Sequence, residues 1–212
     1  AALGHTEGFH LVTIGDGTRA ALAALRAGLG GLLSVTLDSP VVPQVSSTAA
    51  LAPDTWAVLQ HLSTACQEDD SCSSLLDDLA GSLVSTAEAL AAGPARVALD
   101  DAGAAVEAVV DGAALVTAVA SRFSTAPGDI AAIPRIVAAA AAGDLTSVGT
   151  QLLAEARDTT RADALGWTLR CSQDLGAPPA DTEEVPEALR VLSGSVAGRD
   201  VLAEACAAFG VT

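Results

Sequence analysis

The apolar residues divide the chain into a short N-terminal part of mixed elements and a longer part that is mainly helical. An apolar run from Phe9 to Ile14 ends in the tight turn Gly15-Asp16-Gly17, and an alanine- and leucine-rich helix is expected from about Thr18 to Ala27. A second apolar run covers Leu32 to Leu37. The order strand, turn, helix, strand is a βαβ unit, which predicts two parallel strands joined by a right-handed crossover.

The pattern becomes helical from Pro53. Trp56, Leu59 and Leu62 recur at helical spacing and predict one apolar face. A second helix is expected from about Ser73 to Ala92, because a glycine and a proline follow it directly.

The rest of the chain predicts a small β-hairpin and further helices. Short alternating runs around Asp100 to Gly103 indicate the hairpin. Three helices are expected over residues 112–123, 128–142 and 144–157, and a last one at about 198–209. Asp144 is placed as an N-cap. Pro134 should kink its helix or mark that helix's first turn.

Composition excludes some classes of function. The formal charge of −16 argues against nucleic acid, which requires clustered lysine and arginine. No stretch supplies the roughly 18 uninterrupted apolar residues of a membrane span, so no transmembrane segment is expected. The nearest candidate, AIPRIVAAAAAG, is short and contains Arg135. No cofactor or metal is predicted.

The turn after the first strand carries a family resemblance. GDGTRAALAALR followed by SVTLDSPVVP resembles the nucleophile elbow and next strand of tripeptidyl-aminopeptidase-like serine peptidases, which are α/β-hydrolases related to proline iminopeptidase. That family's elbow typically reads G-x-S-Y-G-T-R. Gly15 stands at the nucleophile's place here, and Asp16 and Gly17 complete the elbow.

The resemblance implies an α/β fold in two parts. Residues 1–45 would form part of an α/β-hydrolase core (strand, elbow, helix, strand), and residues 46–212 a large, mainly helical cap with a small hairpin. The strands that carry the family's catalytic Asp and His would follow Thr212, and its early strands would precede Ala1. Another chain or further segments are expected to complete the sheet, because two strands leave unpaired edges.

Other chemistry at the turn is less well supported. Asp16 as the nucleophile of a dehalogenase would shift the glycines out of register. A phosphate loop would need spaced glycines and a lysine, and Asp16 would repel phosphate. No nucleophile, base or orienting acid of a triad can be assigned in this chain.

The four cysteines also follow the family. The resemblance implies disulfides between Cys66 and Cys72 and between Cys171 and Cys206. Loop closure would contribute about 2.4 kcal/mol for the short loop and about 3.8 kcal/mol for the long one. Disulfides persist in oxidising compartments, so an exported protein is expected. The alternative is four buried free cysteines in a cytosolic protein.

Few other residues have a candidate role. ALGWTLRCSQD resembles the segment that closes the family's cap, which offers Asp174 two interpretations: a partner for a peptide's α-amine, or a solvated acid. The three histidines, His5, His10 and His61, are interpreted as surface or strand-edge residues, since no metal spacing links them.

Three hypotheses of function follow. The first is a catalytically inert relative of exported aminopeptidases that binds a peptide-like ligand or a protein partner through the cleft between cap and elbow. The second is a segment of an active exported serine aminopeptidase in which Gly15 is a substitution. The third is a scaffold subunit of a larger assembly. Fold analogy alone does not establish an activity.

Overall fold

Helices form most of the protein, and each of its two small sheets has two strands among the described residues. The computed structural model describes residues 8–15, 17–40, 47–123, 127–157, 171, 181–193, 204 and 206–208. The protein is therefore of mixed α/β class, as predicted.

The predicted βαβ unit is present. Strand β1 (Phe9–Ile14), helix α1 (Gly17–Arg26) and strand β2 (Leu32–Asp38) follow one another, and the two strands pair in parallel. Exposure alternates along β1, because α1 covers only one face of the sheet. On the other face Val12 is 67% exposed and Ile14 is 69% exposed. Within the described part of the chain, the larger contacts of these three elements are with one another.

The first long helix begins earlier than predicted. Helix α2 spans Ser47–Glu68 and contains Pro53, which cannot donate to the carbonyl of Ala49. The Ser193 hydroxyl replaces that donor at 2.6 Å from the Ala49 oxygen, and it accepts the Ala52 N–H at 2.9 Å. The helix therefore continues through the proline. The predicted apolar face is confirmed, since Leu59 is fully buried and Trp56 and Leu62 pack against the core.

The second helix begins later than predicted. A short helix, α3 (Asp70–Ser73), precedes α4, which spans Leu79–Ala92. The expected start at about Ser73 was wrong because Asp78 caps α4, accepting the Gly81 N–H at 3.0 Å.

The predicted hairpin is confirmed. Strand β3 (Ala95–Asp101) pairs antiparallel with β4 (Ala104–Val110). Ala102 and Gly103 both have positive φ angles, 51° and 88°, as a two-residue hairpin turn of type I′ requires.

The helices that the structure describes between the hairpin and residue 157 are α5 (Gly112–Arg122), α6 (Pro127–Ile130), α7 (Ile133–Ala141) and α8 (Thr146–Arg157). The helix predicted over 128–142 is thus broken before Ile133. Pro134 lies in the first turn of α7, where its missing N–H costs nothing.

The carboxylate of Asp144 accepts the Thr146 N–H at 3.0 Å at the start of α8, as expected of a cap. Helix α9 (Glu187–Arg190) continues into a 3₁₀ turn, Val191–Ser193. Residues 204 and 206–208 are helical, and the rest of the helix predicted at 198–209 lies outside the described residues.

One apolar core joins the helices to the start of the hairpin. Its fully buried large side chains are Leu59, Leu79, Leu83, Val110, Leu115, Val116, Val119, Ile133, Val137, Val148 and Leu189. In the described part of the chain no single helix is long and apolar enough to cross a membrane. One bent pair, Gly128–Ala141 with Thr146–Arg157, reaches that length and composition only together.

Candidate functional site

The turn between β1 and α1 has a tightly fixed backbone. Gly15 adopts a left-handed conformation, with φ +56°. Its N–H donates to the Asp38 carbonyl at 3.0 Å, which ties the turn to the end of β2. Its carbonyl accepts both the backbone N–H (3.0 Å) and the hydroxyl (2.7 Å) of the fully buried Thr18. The end of strand β1, the left-handed residue Gly15 and the start of helix α1 therefore lie within four consecutive positions.

Gly15 and Gly17 differ in the space that their surroundings leave for a side chain. A Cβ atom at Gly15 would meet no other atom within 4 Å, whereas one at Gly17 would lie 3.5 Å from the Cβ of Thr13. A side chain at position 15 would thus project freely, on a backbone that L-residues adopt only with strain. Glycine itself offers no attacking group. Asp16 lies outside the described residues.

The strain at this turn can be measured with Gly15→Ser. We expect the variant to fold and to lose about 1 kcal/mol of unfolding free energy, because the new side chain has room but the φ angle opposes it. Gly30→Ser is the matched control, since Gly30 also has open space and lacks a positive φ angle. Urea denaturation of both variants checks the difference. Equal stability would show that position 15 is not strained.

A serine–histidine contact lies on the exposed face of the β1–β2 sheet. His10 Nδ1 and Ser34 Oγ are 2.6 Å apart, brought together by the parallel register of the strands. Sequence reasoning missed this contact because the residues are 24 positions apart. Among the described residues no carboxylate pairs with the imidazole, so the third group of a triad is not assigned. His10 and His61 are exposed, as predicted.

The helical part contains a cleft between α2–α3 on one side and the start of α7 on the other. Its volume is about 430 Å³, within the range of small-ligand sites. Its lining is largely apolar and includes Leu62, Leu75, Pro134 and the Cys66–Cys72 disulfide. No described residue of the β1–α1–β2 unit lines it. The two candidate regions are therefore separate features of the described chain.

Two opposite charges lie at this cleft. The carboxylate of Asp69 accepts the Ser71 hydroxyl and, at 2.9 Å, the Cys72 N–H. These two donors, the hydroxyl first, hold the pKa of Asp69 below its ordinary value, so the group is an anion at neutral pH. Arg135 is exposed, and within the described structure it makes no hydrogen bond or ion pair.

Both disulfides implied by the resemblance are present. Their Cα–Cα distances are 5.0 Å for Cys66–Cys72 and 5.4 Å for Cys171–Cys206. Two disulfides are compatible with an extracellular protein. Among the described residues no group of histidines, cysteines and acids could hold a metal ion. Asp174, the candidate partner of a peptide amine, lies outside the described residues.

Fold and sites together define a disulfide-bonded, mixed α/β protein in which a glycine-bearing βαβ turn precedes a helical part with an apolar cleft. Compared with known proteins, the chain matches no family model, no curated protein and no solved structure. The geometry and chemistry of its residues therefore carry the functional argument.

Proposed function

We propose that this chain is a catalytically inert relative of the exported aminopeptidase-like α/β-hydrolases, and that it binds a peptide-like ligand. The observation that carries the proposal is Gly15. It occupies a left-handed position directly between a parallel strand and a helix, which is where an α/β-hydrolase places its nucleophile. With glycine there, the attacking oxygen is missing while the turn that would present it is kept.

Ligand binding is assigned to the helical part, because it contains the apolar cleft described above. A peptide offers apolar side chains to Leu62 and Leu75 and polar termini to the charged groups at the cleft. The disulfide between Cys66 and Cys72 closes a short loop at the cleft wall, which reduces the freedom lost on binding.

The proposal is tested by treating the protein from its natural source with a fluorophosphonate probe, which labels activated serines. We expect the chain to remain unlabelled and to bind short apolar peptides in titration calorimetry. An active serine hydrolase, native and heat-denatured, provides the positive and negative controls. Labelling of the chain would instead support the active aminopeptidase. Absence of peptide binding would contradict the binding role.

A specific observation favours a second candidate, the scaffold subunit. The uncovered side of the β1–β2 unit exposes Val12 and Ile14 at 67% and 69%, and Leu33, at the irregularity in the strand pairing, is 61% exposed. Parallel sheets are normally covered on both faces. We therefore propose that further polypeptide, of this chain or another, covers this face and completes the sheet. Copurification with a partner at fixed stoichiometry would support this candidate, and a monodisperse monomer would count against it.

A further inference from the structure

We infer that the cleft beside the Cys66–Cys72 disulfide binds the C-terminal end of a short apolar peptide, with Arg135 as the partner of the free carboxylate. The inference rests on the proposed binding function and names the end of the peptide that is recognised. It concerns the acid terminus, whereas the family resemblance points to recognition of the amine.

The first step is that Arg135 has its donors available. Arg135 is exposed, lines the cleft and has no hydrogen-bond or ion-pair partner within the described structure. The three ion pairs of the described residues use Arg96, Arg122 and Arg157 instead. A guanidinium presents five N–H donors in a planar fork that matches a carboxylate.

The second step is that the ligand carries a single negative charge. Asp69 lies at the same cleft, and its carboxylate is an anion that already accepts two hydrogen bonds. Together with the chain's net charge of −16, it disfavours phosphates and other polyanions. A ligand with one carboxylate on an otherwise uncharged, apolar body fits a cleft that offers one arginine beside one acid.

The third step concerns the apolar body of the ligand. Leu75 is 46% exposed and lines the cleft with Leu62 and Pro134. Covering Leu75 and the half-buried Leu62 removes apolar surface from water. A leucine-like side chain next to the carboxylate would contact them while the acid reaches Arg135.

The test compares three probes by titration calorimetry on the full chain with its disulfides intact. N-acetyl-Leu-Leu carries the free acid, N-acetyl-Leu-Leu amide removes the charge, and octanoate supplies an acid on a fatty chain. We expect the peptide acid to bind about tenfold more tightly than the amide, because a charge-assisted hydrogen bond is lost. Added salt should reduce that difference, since Arg135 is exposed.

Arg135→Gln should abolish the preference for the acid. Arg96→Gln, which removes an exposed arginine of the hairpin, is the matched control and should keep the preference. Equal affinity for acid and amide, or an unchanged preference in Arg135→Gln, overturns the role of Arg135 while peptide binding itself stands. Tighter binding of octanoate than of the peptide acid overturns the peptide assignment. If none of the three probes binds, this inference is overturned. The proposed binding function is tested separately, with the short apolar peptides named for that experiment.

Discussion

Replacing Cys171 and Cys206 together with alanine is expected to lower the unfolding free energy by about 4 kcal/mol, the largest effect predicted for this protein. The two cysteines are 35 positions apart, so their disulfide removes much conformational freedom from the unfolded chain. Both residues are also buried, at 4% and 0% exposure, where alanine adds no unpaired polar group. The loss is a large part of the 5–15 kcal/mol or so that stabilises a typical domain.

Guanidinium denaturation of the double variant measures this loss. The matched control is Cys66→Ala with Cys72→Ala, whose closed loop spans only 6 positions and is expected to contribute about 2.4 kcal/mol. The midpoint of thermal unfolding should fall by roughly 2–4 °C for each kcal/mol lost. If the short-loop pair proved the more costly, native contacts rather than loop length would set the contribution of each disulfide.

Gly112→Ala is expected to destabilise the protein by about 3 kcal/mol, at the upper end of overpacking effects. A Cβ atom at Gly112 would lie 2.2 Å from the Ala87 carbonyl oxygen and 3.0 Å from its carbon. These are backbone atoms of α4, so no side-chain rotation relieves the clash. Helix α5 must move away from α4, which disturbs Leu115 and Val116 in the core.

The control for this variant is Gly128→Ala. Gly128 is also helical, and a Cβ atom there would meet nothing within 4 Å. We expect no loss of stability from it, since alanine favours a helix by up to about 1 kcal/mol over glycine. Urea denaturation with a shared slope compares the two variants. Equal effects would mean that α4 and α5 tolerate a wider separation.

Local chemistry was sufficient to predict several elements from the sequence. The hairpin followed from alternating apolar residues around Asp100 to Gly103, and the parallel pair followed from two apolar runs separated by a helix. In both cases the deciding residues are neighbours along the chain. The periodicity of apolar residues and the preferences of turn residues are properties of such neighbouring positions.

The starts of two helices were predicted wrongly, for different reasons. The sequence predicts that helix α2 starts at Pro53, but Ser193, 144 positions from Ala49, supplies the hydrogen bond that the proline cannot make. The start of α4 was misplaced for a different reason, because the capping role of Asp78 was not recognised. Neither the compensation by Ser193 nor the register that joins His10 to Ser34 has a local signal.

One part of the candidate site could likewise be predicted from neighbouring residues, and the other part could not. The turn at Gly15 was legible because a strand, a glycine and a helix are consecutive. A cleft between cap and elbow is expected from the resemblance, but the cleft of the described structure arises from the packing of α2–α3 against α7 and has no described residue of the elbow in its lining. In the sequence Arg135 is only a charge within the apolar stretch AIPRIVAAAAAG. Its exposed position beside Leu75 could be recognised only after those helices were placed.

The separation of the β1–α1–β2 unit from the core bears on the protein's native-state fluctuations. Among the described elements the larger contacts of this unit are within itself, and two paired strands have little independent stability. Its hydrogen bonds can therefore break in a sub-global opening that leaves Leu115 and the other core residues buried. We therefore expect the amide hydrogens of β1 and β2 to exchange faster than those of α4 and α5, with the turn that carries Gly15 in the less protected region.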